Sequence, residues 1–388
     1  MNKSKKMRSV LLIVVAIVLI VSVTTVIMAK GKDVNIVKKE NKERTEKVGN
    51  KEKSKNKVKK NEVSVVPTLI DPVIKDTCWC GTFQLVWNDM KNKLVHGDVV
   101  FSPQIKMVEN LIKEAFIEDL ISEDYYYKVY APKTLELKKQ IEKEIKRKFN
   151  QESDILDDFD WSEDASDKGG DRFFFYTMLY RKFEFLQEFD KLGKSSFGKD
   201  GKDAEFFGIN AETNDVVGNQ IEVLFYNSED DFAIVLKTKE NDEVIFYKNP
   251  QGKTFMDIYN DMNKKADLYD GSKSFREIDI FKAPCLKVNI KKMYEELMNK
   301  LFVLNNGLGS AKIKEAIQTV KFSLDEKGGE VKSEAAMDLE LTCMLPNEQK
   351  IEKIRYFLVD DTFTLFLREE GKDMPYFAMN VDDISKFQ

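Results

Sequence analysis

Residues 325–342 read DEKGGEVKSEAAMDLELT. From Gly329 onward every second side chain is small or apolar: Gly329, Val331, Ser333, Ala335, Met337, Leu339, Leu341. Between them stand Glu330, Lys332, Glu334, Ala336, Asp338, Glu340 and Thr342. A period of two belongs to an extended segment with one row toward a core and the other toward water. A permanently exposed loop has no need of such a row. The small residues come first, the order that suits a segment squeezing between strands already in place. An ordinary half-buried strand alternates in the same way, so the pattern by itself leaves both readings open.

The flanking sequence is rich in strand signals. Downstream come YFLVDDTFTLFLRE (356–369) and PYFAMNV (375–381); upstream lies VKFSL (320–324). IEVLFY, FAIVLK and EVIFY at 221–226, 232–237 and 243–247 are short apolar runs separated by Asn, Asp and Glu turns. FFFYTMLY (173–180) is a continuous aromatic run, the composition of a strand buried on both faces. Earlier in the chain the period changes to that of a helix. Cys80, Phe83, Trp87, Met90 and Leu94 form one stripe, Ile105, Val108, Ile112, Ala115 and Phe116 another, and Leu137, Ile141, Ile145 and Phe149 a third. Two more amphipathic helices are expected over 253–266 and 291–302. Helices early and strands late argue an α+β fold.

Composition excludes most enzyme classes. The 388 residues are 42% hydrophobic and 33% charged with four cysteines, neither a disordered chain nor a disulfide-stapled one. A formal charge of −5 gives no basis for a nucleic-acid partner. A single histidine, His96, rules out a multi-His metal cage and His-dependent hydrolysis of the usual kind. Cys78-Trp79-Cys80 opens an apolar stripe and is read as packing. Asp157, Asp158, Asp160, Glu163, Asp164 and Asp167 lack the glycine and glutamate positions of a calcium loop. No phosphate-binding glycine loop is present. No catalytic group, cofactor or metal is therefore expected. The 54 lysines against eight arginines suit an AT-rich bacterial genome.

The N-terminus is of another kind. Val10 to Ala29 carries no charge and spans roughly 30 Å as a helix, the depth of a bilayer's hydrocarbon core. It reads as an uncleaved anchor following a short cytoplasmic tail (1–9), with a secretory signal cleaved after Ala29 as the competing reading. Residues 30–66 hold thirteen basic and six acidic residues with no aromatic, a solvated linker that suits an anionic cell wall. The folded domain is then expected over 67–388, outside the cell.

Seven blocks, in one order over about 300 residues, resemble the serpin family. VVFSP (99–103) is similar to the family's early NVVFSPLSI, and 173–197 to the strand LVLVNAIYFKGKW and its continuation. VLFYNSEDDFAIVLK (223–237) and FKAPCLKVNIKKMYEELMNKL (281–301) match two further family segments. Glu326-Lys327-Gly328-Gly329-Glu330 occupies the frame of the reactive-loop hinge E-x-G-T-E. FLVDDTFTLFLRE and PYFAMNVDD resemble the two closing blocks. The chain is thus identified as a divergent, shortened bacterial relative of the serpins.

The resemblance implies several N-terminal helices on a large central, mostly antiparallel sheet, with smaller sheets beside it. It implies a monomeric protease inhibitor and not an enzyme, whose partner is a serine or cysteine protease. The hinge would comprise Glu326, Gly328, Gly329, Glu330, Val331, Ser333 and Ala335. Family spacing puts the scissile bond at Thr342–Cys343, with Leu341 or Met344 as neighbouring alternatives before the cut. There are departures. The family's buried shutter histidine falls at Gln318, its NAIYF asparagine at Thr177 and the following tryptophan at Phe185. Lys332 and Glu334 replace hinge alanines, on the outward parity with Glu330. A non-inhibitory binding or scaffold protein of the same fold is the competing reading.

Overall fold

Strand β1 (Ser64–Val66) lies parallel beside β2 (Thr77–Cys80), so the folded part starts inside the stretch read as linker. The computed structural model describes residues 63–162, 172–209, 214–304, 309–331 and 353–388. All lie in the second of two units, Lys59–Gln388. The anchor expected at 10–29 and most of the linker lie outside the described residues. Among the described residues no helix is long and apolar enough to cross a membrane.

The three early stripes become helices. α1 (Thr82–Asp89) is prolonged by a wider turn, Met90–Val95, and His96 ends it in the left-handed conformation with φ 54°. α2 (Lys106–Lys113) follows. The strand β3 (Tyr126–Pro132) then leads into α3 (Leu135–Phe149), started by the Thr134 hydroxyl accepting from the Leu137 amide at 3.1 Å. Leu137, Ile141, Ile145 and Phe149 all face inward. They pack on Phe174 and Tyr176 of β4 (Phe173–Leu179), which pairs with β3 and runs through Tyr180 into β5 (Arg181–Glu184).

The short apolar runs form the main core. β6 (Asp190–Phe197) and β7 (Lys202–Gly208) precede β8 (Ile221–Ser228), β9 (Asp231–Lys237), β10 (Asp242–Lys248) and the helix α4 (Phe255–Leu268). β11 (Ile280–Pro284), β12 (Leu286–Met293), β13 (Leu301–Val303), β14 (Ser310–Lys312), β15 (Ile317–Asp325) and β16 (Gly328–Val331) come next. β17 (Tyr356–Leu358), β18 (Phe363–Glu369) and β19 (Phe377–Val381) close the chain. One seven-stranded sheet has the order β1-β2-β19-β18-β10-β9-β8. Its central strands are buried on both faces: Phe366 meets Phe255 and Tyr259 of α4, while Phe377 stacks on Phe322 of β15. Two four-stranded sheets, β17-β11-β7-β6 and β12-β15-β16-β5, accompany it.

One helix needs correcting. The helix expected over 291–302 is absent. Leu286–Met293 pairs residue for residue with Ile317–Leu324, because LKVNIKKM alternates in burial and the facing strand supplies a ladder. In 99–103, Phe101 bridges to Phe302.

Candidate functional site: a slot below a seated hinge

β15 alternates as a half-buried strand, with Gln318, Val320, Phe322 and Leu324 inward. Its chain reverses at Glu326-Lys327, where the Asp325 carboxylate accepts from the Lys327 amide at 2.9 Å. Glu326 is buried and paired with Lys191 at 3.1 Å, and its carbonyl accepts from the Phe189 amide. β16 then runs back between two strands, antiparallel to both. Ser323 faces Glu330 and Leu324 faces Gly329 on one side; Gly328, Gly329, Glu330 and Val331 face Glu184, Phe183, Lys182 and Arg181 on the other.

The two glycines are required there. At Gly328, φ is +150°, and a Cβ would overlap the Phe183 carbonyl and approach the Glu184 Cα to 2.8 Å. At Gly329 a Cβ would run into the buried Phe183 ring. Gly329 thus lies on the inward row, as the alternation implies. Glu330 lies on the outward row but does not face water: it is buried and accepts from the Tyr180 hydroxyl at 3.2 Å. Burial, and then the nearby Glu330 carboxylate, pushes the Tyr180 hydroxyl up to about 12. Ser333, Ala335, Thr342 and Cys343 lie outside the described residues.

Below the hinge the two flanking strands part. Ile317–Phe322 has a strand partner only in β12, and β4 only in β3, among the described residues. Between them opens a cleft of about 800 Å³, lined by 173–180 and 313–321 and floored by Phe83, Val86 and Trp87 of α1. FFFYTMLY is therefore not buried on both faces as expected: only Phe174 and Tyr176 are buried, Phe173 is exposed, and among the described residues one edge of the strand has no partner. Seven residues at about 3.3 Å each give that edge a length of roughly 23 Å.

Gln318, where the resemblance led one to expect a histidine, is buried in this cleft and fully engaged. Its amide nitrogen donates to the Cys80 carbonyl at 3.1 Å and the Thr82 hydroxyl at 2.9 Å, and the Tyr294 hydroxyl donates to its oxygen at 2.6 Å. One side chain thereby ties β15 to the start of α1. Thr177 lines the opposite wall, and Phe185 is buried beside Phe189.

A further anchor went unread in the sequence. Arg181, opposite Val331, has no exposure. It donates to Asp242 at 2.6 Å, Glu369 at 3.1 Å and the Glu240 carbonyl at 3.0 Å, and lies 3.6 Å from the centre of the Tyr125 ring. Burial pushes the Asp242 carboxyl up to about 6, against the opposing pull of Arg181 and of the Tyr376 hydroxyl. The cluster fastens the top of β5 to the seven-stranded sheet. The only available hint was an arginine set in an aromatic run, 173–185.

What the site offers is geometry, not reactive groups. Cys78 and Cys80 are free and buried, and burial raises both thiols, the wrong direction for a nucleophile. Two strand edges without a partner among the described residues, flanking an apolar floor, have the geometry to pair with an extended segment.

No family model matches the sequence, and no curated protein resembles it closely enough to count. Solved structures do match. The thermophilic serpin tengpin, in its native state, is similar over 81% of this chain and 90% of its own, with TM-score 0.50 and 13% identity. Serpin48 of the insect Tenebrio molitor matches over 80% and 92%, with TM-score 0.45 and 11% identity. A thyroxine-binding globulin in complex with thyroxine matches over 80% and 93%, with TM-score 0.43 and 13% identity. The chain has a serpin-like fold.

Proposed function

We propose that the slot receives the chain's own loop, and that the protein is a membrane-anchored extracellular inhibitor of serine or cysteine proteases. One observation carries the reading. Gly328–Val331 is already paired on both sides, and directly beyond it lies a cleft between two strand edges that have no partner among the described residues. Continuing both registers would set Ser333 between Val320 and Leu179, and Ala335 between Gln318 and Thr177. Those are the small side chains of the inward row.

The protease nucleophile would attack the Thr342 carbonyl, forming an acyl-enzyme as the Thr342–Cys343 peptide bond breaks and the new amine takes the proton. The freed loop then enters the slot as an added strand, drawing the acylated protease with it. Ladder bonds and burial of the inward row drive the movement. Val10–Ala29 anchors this monomeric domain outside the membrane, and the basic linker lies in an anionic cell wall. No cofactor or nucleic acid takes part.

Lys332 and Glu334 in the hinge favour the rival reading, a non-inhibitory binding or scaffold protein of the same fold. The discriminating experiment exposes the full chain to a panel of serine and cysteine proteases. Inhibition predicts an SDS-resistant adduct and a released fragment beginning at or next to Cys343. Cleavage by every protease without any adduct would sink the inhibitory reading.

A further inference from the structure

The foot of the cleft brings cations against aromatic rings. The Lys133 ammonium lies 5.2, 5.1 and 5.6 Å from the ring centres of Phe159, Trp161 and Phe174, in the geometry of a cation held over aromatic faces. Its nearest carboxylate is Glu315, at 3.9 Å, too long for a hydrogen bond. Arg172, which also lines the cleft, donates to two backbone carbonyls, Asp160 at 3.1 Å and Ser162 at 3.4 Å. Burial, and then repulsion from Arg172, pulls the Lys133 amine down to about 8. Two cations thus share one end of the chamber; the Glu315 and Asp160 carboxylates act on Lys133, and Asp160 on Arg172 as well, but among the described residues neither hydrogen-bonds to the Lys133 ammonium.

A second feature is independent of these charges. Trp87 is 2% exposed and lines the floor, and its indole N–H has no acceptor among the described residues. A buried donor left unpaired is costly, and an acceptor brought by a ligand would remove that cost. The chamber's volume, about 800 Å³, falls within the roughly 300–1,000 Å³ usual for small-molecule sites. Its remaining walls are mostly apolar and ring-bearing, including Phe83, Phe175 and Phe302.

We propose that this chamber binds a small aromatic carboxylate: its acid group on Lys133 and Arg172, its ring system against the aromatic walls, and an acceptor on its far side taking the Trp87 N–H. Binding does not depend on loop insertion. Because the two occupants need the same space, the carboxylate would oppose insertion where insertion occurs.

The test is calorimetric titration of the uncut full chain in non-ionic detergent, with protein-free micelles as the blank. The probes are 6-hydroxy-2-naphthoate and its neutral amide. The acid is expected to bind once per chain, at least tenfold more tightly than the amide. Lys133→Met should reduce the acid to the affinity of the amide and leave the amide unchanged; Arg172→Gln, at a half-exposed position, should weaken the acid about threefold. Trp87→Phe should weaken both. Equal affinity of acid and amide, an unchanged affinity for the acid in Arg172→Gln, or no binding at millimolar probe would overturn the proposal. None of these readings involves cutting the loop, so failure here leaves the insertion reading untouched.

Discussion

Replacing Gly329 by alanine puts a methyl group where the Phe183 ring already lies. The added carbon overlaps the tip of the ring and sits 2.8 Å from Cε2 and 3.0 Å from the Ser323 carbonyl. Carbon pairs prefer about 3.5–4.0 Å, so the ring must retreat by about an ångström. Phe183 is 1% exposed and has nowhere free to go, and overpacking of this kind costs about 1–3 kcal/mol. The alternative is for the hinge to lift out. If that uncovers on the order of 100 Å² of apolar surface, it costs about 2.5 kcal/mol at 25 cal/mol per Å². Both routes give a similar loss. An unfolding entropy of about 2.1 cal/mol/K per residue, over roughly 330 residues, converts this to a fall in Tm of about 2–4 °C. The assay is thermal unfolding of the full chain by circular dichroism, within a cycle that pairs Gly329→Ala with Phe183→Leu. The shorter side chain makes room, so the alanine should then cost less than about 0.5 kcal/mol. Additive losses, or no loss in the single variant, would refute the seating of Gly329 on Phe183.

Other perturbations probe the walls. Gln318→Leu leaves the Tyr294 hydroxyl and the Cys80 carbonyl buried without their partner, and should cost about 1–3 kcal/mol in urea unfolding, partly restored by Gln318→His. Arg181→Met strands Asp242 beside Glu369 and should cost about 3–5 kcal/mol at pH 7. The sign of its pH dependence follows from Asp242. A carboxyl that binds its proton more tightly folded than unfolded contributes stability as pH falls from about 6 toward 4, and that contribution is gone above 6. Without the arginine the carboxyl rises further, so urea midpoints of Arg181→Met should recover more between pH 7 and pH 5 than those of the parent; parallel curves would speak against it. Tyr180→Phe removes a hydroxyl donor from Glu330 and should cost about 0.5–1.5 kcal/mol, read from the same midpoints.

Five strands of the seven-stranded sheet, β8, β9, β10, β18 and β19, were legible because each is a short apolar run bounded by turn residues, and α3 because its four core positions recur every fourth residue; β1 lay in the stretch read as linker and β2 at the start of a helical stripe. Gly329 was legible as an inward residue because a period of two survives any register. What escaped depends on contacts between distant segments. Residues 291–293 looked helical because their lysines and apolar residues fit either period, and only pairing with Ile317–Thr319 decides for a strand. Glu330 was assigned to water on parity alone; Tyr180, 150 positions earlier, covers it. Gln318 looked like the loss of a shutter residue, yet its amide joins Cys80, Thr82 and Tyr294, groups that no local pattern brings together. The cleft itself is a space between two strand edges unpaired among the described residues, and neither strand's sequence records which of its edges is left without a partner there.

The most direct measurement is calorimetric unfolding of the full chain before and after a single nick between residues 332 and 352. If the inward row enters the slot, burial adds on the order of 5–10 kcal/mol at about 25 cal/mol per Å². At the unfolding entropy used above, this raises Tm by roughly 7–15 °C before any ladder bonds are counted. A nicked protein that melts at or below the temperature of the intact one would contradict insertion.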